Sequence, residues 1–207
     1  MQVIGMNVAF VSLVVSMVAL GVSAFVAWYT LLRRGAVKMT RPTTVYFGTD
    51  NAKRDGGRNR KVYLRTLLYS TAQRGSIVES LYLRLRCGDK TQAFTVWIYG
   101  EDALKRGSGL FVPRDGVTTN HHFILPFNAP RFEFASGAYT IEVFASLVGE
   151  SAPKTLWRIE LPINPTQAAA IVDPTLGLFF DWSPDEGDYK SVLRNVSSRE
   201  IVPVLGE

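Results

Sequence analysis

Charge is missing from the start of this chain. From Met1 to Leu32 there is no Asp, Glu, Lys or Arg, which excludes an ordinary surface helix with a polar face. Cysteine is scarce as well: Cys87 stands alone among 207 residues. No intrachain disulfide can form, so the fold must rest on its core, and a lone thiol fits a reducing compartment better than a disulfide-stapled module. Histidine is limited to His121 and His122. Adjacent on a predicted strand, their rings point to opposite faces and cannot grip one metal together. There is no phosphate-cradling glycine loop and no paired-cysteine metal motif. Gly107-Ser108-Gly109 lacks the spacing of a nucleophile elbow and reads as a flexible loop tip. Asp181, Asp185, Glu186 and Asp188 match no calcium loop and read as a solvated turn. The expectation is a protein that is not an enzyme, with no catalytic set, no metal and no cofactor.

What the first 32 residues do contain is Val, Leu, Ala, Met and Phe, closed by Trp28, Tyr29, Arg33 and Arg34. About 20 apolar residues cross a ~30 Å hydrocarbon core, and the aromatic pair and the arginines suit the two layers of its interface. Val22-Ser23-Ala24 resembles a signal-peptide cleavage site, but the start lacks Lys and Arg and the apolar run is too long, so an uncleaved anchor is expected. Basic residues follow the span and none precede it. The positive-inside rule then puts the soluble part in the cytoplasm, N-out and C-in. Within the span Gly5, Ala9, Ser12, Ser16, Ala19 and Ser23 recur at intervals of four and three. This is a small-residue stripe suited to packing against a partner helix or a second copy.

The net charge of +5 is unevenly placed. Residues 33–74 carry eleven Lys/Arg against Asp50 and Asp55, a local +9, whereas residues 75–207 carry twelve against sixteen, or −4. Basicity beside a membrane span points to anionic headgroups, with Arg33, Arg34, Lys38 and Arg41 as the contacts. Nucleic acid is not the expected partner, because the charge fades where the folded domain begins.

Beyond residues 33–41, read as a basic juxtamembrane linker, the pattern changes to period two. Residues 43–47, 61–69, 77–86, 92–99, 118–125, 139–147 and 155–163 read as strands rich in Val, Ile, Thr and aromatics, separated by Gly, Asp and Pro turns. Residues 101–106 suggest a helical turn or two. Asn164-Pro165 opens a short helix over 166–172, and 176–182 is an eighth apolar segment. The fold expected is all-β, a sandwich of seven to eight strands with a short C-terminal helix, occupying 42–184 behind the transmembrane helix of 1–32. The Ser-rich tail from 185 to 207 is expected to be partly disordered.

The run Phe134-Ala-Ser-Gly137-Ala-Tyr139-Thr-Ile141-Glu-Val143 resembles the corner that precedes strand F in immunoglobulin-like sandwiches. That resemblance implies that the Tyr139 hydroxyl bonds back to nearby backbone. The position of the family's disulfide cysteine is Ile141 here, so the likeness is to disulfide-free members, and it implies a fold rather than a function.

Alternation on two neighbouring strands offers one candidate surface. With Leu81, Leu83, Leu85 and Phe94 facing the core, Tyr82, Arg84, Arg86, Trp97 and Tyr99 share the opposite face, a mixture typical of binding hot spots. Either a partner or the segment Leu178 to Trp182 should cover it. The function expected is a membrane-tethered interaction module in a membrane assembly. The alternative is an outward-facing ligand- or polysaccharide-binding module in which Trp97, Tyr99 and Tyr82 stack on sugar rings.

Overall fold

The computed structural model describes residues 2–32, 35–50, 59–101, 103–126 and 129–196, side chains of 2–7 and 31–32 excepted. Helix α1 runs Gln2–Ala27 and continues as a wider π-helical turn over Trp28–Leu32. Its 23-residue stretch Val8–Thr30 is long and apolar enough to cross a membrane, a property that signal sequences share. No part of the scored window is buried against the rest of the chain. The hydroxyls of Ser16, Ser23 and Thr30 donate to the carbonyls of Ser12, Ala19 and Val26, four residues earlier. These three hydroxyls are thus satisfied within the helix itself.

Among the described residues thirteen strands follow, in two antiparallel sheets. In chain order they are β1 Val37–Met39, β2 Thr44–Thr49, β3 Arg60–Ser70, β4 Ser76–Cys87, β5 Lys90–Phe94, β6 Val96–Gly100, β7 Lys105–Arg106, β8 Leu110–Val112, β9 Val117–Ile124, β10 Gly137–Leu147 and β11 Lys154–Ile163. Helix α2, Pro165–Ala170, then leads to β12 Leu176–Ser183 and β13 Asp188–Asn195. The eight-stranded sheet has the order β13-β12-β2-β3-β9-β6-β7, with β1 also on β3; the five-stranded sheet has the order β11-β10-β4-β5, with β8 on β4. One core lies between them, joining Phe47, Leu64, Phe123 and Phe180 of the larger sheet to Leu83, Leu85, Phe94, Ile141 and Val143 of the smaller. Each such side chain contributes about 1.5–3 kcal/mol of apolar burial.

Two expected elements are corrected, and strands extend past both expected edges of the sandwich. The strand over residues 92–99 is two strands: β5 pairs with β4, while β6 pairs with β9 in the other sheet. The exposed Thr95 is where the chain turns from one sheet to the other, a corner that a continuous apolar run hides. Among the described residues of 101–106 there is no helical turn; β7 instead pairs with β6. The linker over 33–41 contains β1, whose Val37 and Met39 enter the core opposite Ser70 and Leu68. Past residue 185, the eight residues of β13 add to β12 through main-chain bonds while burying only Tyr189. Such a strand leaves no apolar period to read. The sheet therefore continues to Asn195, and residues 197–207 lie outside the described residues.

Helix α2 starts as its sequence predicts. The Asn164 side chain accepts from the Gln167 amide at 2.8 Å, and the Gln167 side chain accepts from the Asn164 amide at 3.0 Å. This capping box satisfies two amides otherwise left open.

Candidate functional site

The switch at Thr95 dissolves the predicted shared face. Tyr82, Arg84 and Arg86 remain on the outer side of the five-stranded sheet, but Trp97 and Tyr99 belong to the other sheet and face the core. Trp97 is only 3% exposed. Its indole Nε1 donates to His121 Nδ1 at 3.1 Å, and the Tyr99 ring stacks on it at 4.8 Å. The loop that looked free seals this group. Gly107 lies so close to the indole that a Cβ would stand 2.0 Å from it, and the Tyr99 hydroxyl donates to the Gly109 carbonyl. Trp97, Tyr99 and Tyr82 therefore do not form one stacking platform. Nor does Leu178 to Trp182 cover the five-stranded sheet. It is β12 of the larger sheet, with Leu178 and Phe180 in the core and the Phe179 ring tilted against Tyr46 at 4.9 Å.

What remains on the five-stranded sheet gains a member that sequence pattern missed. Phe144 on β10 lies directly across from Tyr82 on β4. Their rings stack 4.8 Å apart at 9°, and the Arg84 guanidinium lies 4.7 Å over Phe144. Glu142 is the cross-strand neighbour of Arg84 on one side and Arg158 on the other, and it pairs with Arg158 at 3.6 Å. Arg86 is exposed at the end of this row. Only the β4–β10 register brings Phe144 here, and no local spacing reveals it.

The outer face of the eight-stranded sheet holds a second polar group, also missed. The Tyr63 hydroxyl donates to Asn120 Oδ1 at 2.8 Å, and Arg65 reaches the same oxygen at 3.0 Å and Glu101 at 3.1 Å. His122 packs beside the Tyr63 ring at 5.0 Å. As their adjacency requires, His121 faces the core and His122 the outer side. Both are buried. Burial pushes each imidazole down to about 3, aided for His122 by the positive charge of Lys61. Burial also lowers the Lys61 ammonium, which Asp50 at 3.4 Å partly restores, and it raises the Tyr63 phenol. Both imidazoles are consequently neutral near pH 7 and do not serve as acids there.

The remaining candidates scatter. Ser12, Ser16, Ala19 and Ser23 lie in α1 with Ala9 and Gly5, and the Ser16 and Ser23 hydroxyls are engaged in their own helix. Arg33 and Arg34 lie outside the described residues. Lys38 is exposed on β1, whereas the Arg41 guanidinium sits 3.8 Å over the Trp182 ring. Asp181 binds Thr44 and Arg194, Asp185 accepts from Ser183, and Glu186 pairs with Lys190, so the acidic cluster is divided among local contacts. Among the described residues no three His, Cys, Asp or Glu side chains converge as a metal site would need.

No family of known proteins matches the chain, and no curated protein matches it. Solved structures similar to it include two of different kinds. One is a family 123 glycoside hydrolase from Clostridium perfringens, at 8% identity and a TM-score of 0.32, aligned over 63% of this chain and 27% of that one. The other is Spo0M, a sporulation control protein from Bacillus subtilis, at 11% identity and a TM-score of 0.33, over 79% of this chain and 76% of that one. At these scores neither likeness speaks to activity.

Proposed function

We propose that this chain is a non-enzymatic, membrane-tethered interaction module: an immunoglobulin-like sandwich held at the cytoplasmic face by an uncleaved α1, N-out and C-in. The observation that carries this reading is the open stack of Tyr82, Phe144 and Arg84 on the five-stranded sheet. Aromatic rings beneath a guanidinium are the side chains that anchor protein interfaces, and a handful of them supply most of the affinity. The tyrosine corner supports the immunoglobulin-like assignment, because the Tyr139 hydroxyl donates to the Ala135 carbonyl four residues upstream at 3.1 Å. The four basic residues within ten positions after Leu32 support the orientation. The stripe from Gly5 to Ser23 supplies a second contact, against another helix in the bilayer. Changing Ser12, Ser16 and Ala19 to Leu should abolish helix crosslinking in membranes, and unchanged crosslinking removes the seam.

The deciding experiment places a photo-crosslinking amino acid at Tyr82 in the full-length protein in its native membrane. A discrete protein adduct that disappears with Arg84→Ala is expected, and its absence overturns the interface. An impermeant thiol reagent applied to intact cells tests orientation: with Ser108→Cys in a Cys87→Ser background, labelling from outside refutes the cytoplasmic placement.

A further inference from the structure

The end of the sandwich nearest α1 has its own apolar surface. Three large hydrophobic side chains there stand in the open: Ile77 is 49%, Phe111 57% and Val148 61% exposed. They come from different elements but form one patch. Ile77 pairs across β4–β8 with Phe111, and the Val148 amide donates to the Ile77 carbonyl. All three line a groove of about 350 Å³, and Gly35 lines it too.

Gly35 fixes where this patch sits. Its backbone presses on Ala72 so closely that a Cβ would come within 2.2 Å of the Ala72 nitrogen. The next residue is tied on both sides, with the Ala36 amide bonded to Thr71 Oγ1 and the Thr71 amide to the Ala36 carbonyl. Strand β1 follows at Val37. The domain therefore begins at Gly35, only three Cα steps after Leu32, the last residue of the helical segment. Three steps reach at most about 11 Å. One headgroup layer is itself roughly 5–8 Å thick. That reach holds the domain close against a bilayer that α1 spans.

Charge at this end agrees. Arg74 lines the groove from the β3–β4 turn, Arg114 of the β8–β9 turn donates to its neighbour Gln73 at 2.7 Å, and Lys154 lines the adjoining depression. The acids opposing them are Glu79, exposed two residues beyond Ile77 on the same side of β4, Asp115, and Glu150, the last paired with Lys154. Arg33 and Arg34 add to the basic side by sequence. An exposed apolar cluster with a basic rim is the composition that enters the boundary between headgroups and acyl chains, and each Lys or Arg near an anionic surface contributes about 1 kcal/mol.

We propose that this end of the sandwich is a lipid-docking surface: Ile77, Phe111 and Val148 insert into the interface of the bilayer that α1 spans, and Arg74 and Arg114 contact anionic headgroups. The domain is thereby held upright with a fixed orientation, and the Tyr82–Phe144–Arg84 stack stands on its flank, clear of the membrane. This rests on α1 being a membrane anchor.

The test uses the full-length protein in vesicles of phosphatidylcholine and phosphatidylglycerol. An environment-sensitive fluorophore is attached through Phe111→Cys, Val148→Cys or, as a control at the far end of β4, Asp89→Cys, each in a Cys87→Ser background. These positions are exposed, so the fold is not at risk, and an unchanged denaturant midpoint checks that. Probes at 111 and 148 should emit to the blue of the probe at 89. Lipids carrying a nitroxide just below the headgroup should quench them severalfold while leaving 89 unquenched. If the protein floats with the vesicles but 111 and 148 behave like 89, lipid docking is wrong and the anchor stands. If the protein does not float with vesicles at all, the anchor fails and docking fails with it.

Discussion

The two sheets carry similar residues on their outer faces and use them in opposite ways. On the eight-stranded sheet Tyr63, Arg65, Asn120 and Glu101 bond to one another, and the group is closed. On the five-stranded sheet Arg84 rests on Phe144, which rests on Tyr82, while the nearest carboxylate, Glu142, pairs with Arg158 instead. Tyrosine and arginine therefore do not mark a binding surface by themselves. The informative difference is whether the described residues already supply their partners, since a guanidinium that rests on a half-buried ring and has no ion pair among them keeps its donors for something else.

The most forceful way to break this comparison is acid, which should strike the larger sheet and its core. His121 and His122 are held near 3 in the folded protein, while an unfolded histidine titrates near 6.5. The unfolded state thus binds protons first. Stability is fully present above about pH 6.5 and is lost progressively as pH falls toward 3. Between pH 7 and pH 5 the loss is about 2 kcal/mol per histidine, by linkage from those two values. Protonating His121 Nδ1 would also cancel its bond from Trp97. Urea midpoints of the full-length protein in nanodiscs should fall between the two pH values, and His122→Phe should remove roughly half of that fall. Equal midpoints at pH 7 and pH 5 would refute the buried neutral pair.

A smaller effect separates the two tyrosines. Tyr63→Phe takes a donor from Asn120, and a buried hydrogen bond of this kind is worth about 1 kcal/mol. Tyr82→Phe keeps the ring stack and removes only a hydroxyl for which the chain supplies no recorded partner among the described residues, so it should stay within about 0.5 kcal/mol of wild type. Thermal midpoints compare the two directly. A larger loss at Tyr82 than at Tyr63 would invert the assignment of closed and open faces.

The sequence made some of this readable for stated physical reasons. An uncharged run of this length has few alternatives to α1, and long alternating strands such as β3, β4, β10 and β11 show their buried side at period two. The Asn164-Pro165 start of α2 was legible because its chemistry is local, while the return bond from Gln167 emerged only in the structure. Strand β13 was not, since it joins the sheet by backbone pairing and buries almost nothing. The hairpin face failed for a geometric reason: alternation predicts a face only while the chain stays in one sheet, and at Thr95 it leaves. Phe144 was invisible because its neighbours come from a pairing partner some sixty residues earlier in the chain, Phe144 to Tyr82.

The subtlest way to sharpen the comparison is Arg84 itself. Its guanidinium contributes a cation–π contact at a half-buried site, worth about 1 kcal/mol, between the exposed and desolvated extremes. Arg84→Ala should therefore shift the melting temperature only slightly. The same change should remove the crosslink from Tyr82, because a hot-spot arginine commonly contributes 2 kcal/mol or more to association. Arg84→Lys divides the possibilities further. Lysine keeps the charge but loses the planar fork and the flat stacking on Phe144, so a partner recognised by bidentate hydrogen bonds should be lost while one attracted by charge alone should be retained. If Arg84→Ala lowers stability by several kcal/mol and leaves the crosslink intact, the arginine is structural. In that case the five-stranded face is as closed as its counterpart, and the contrast between the sheets disappears.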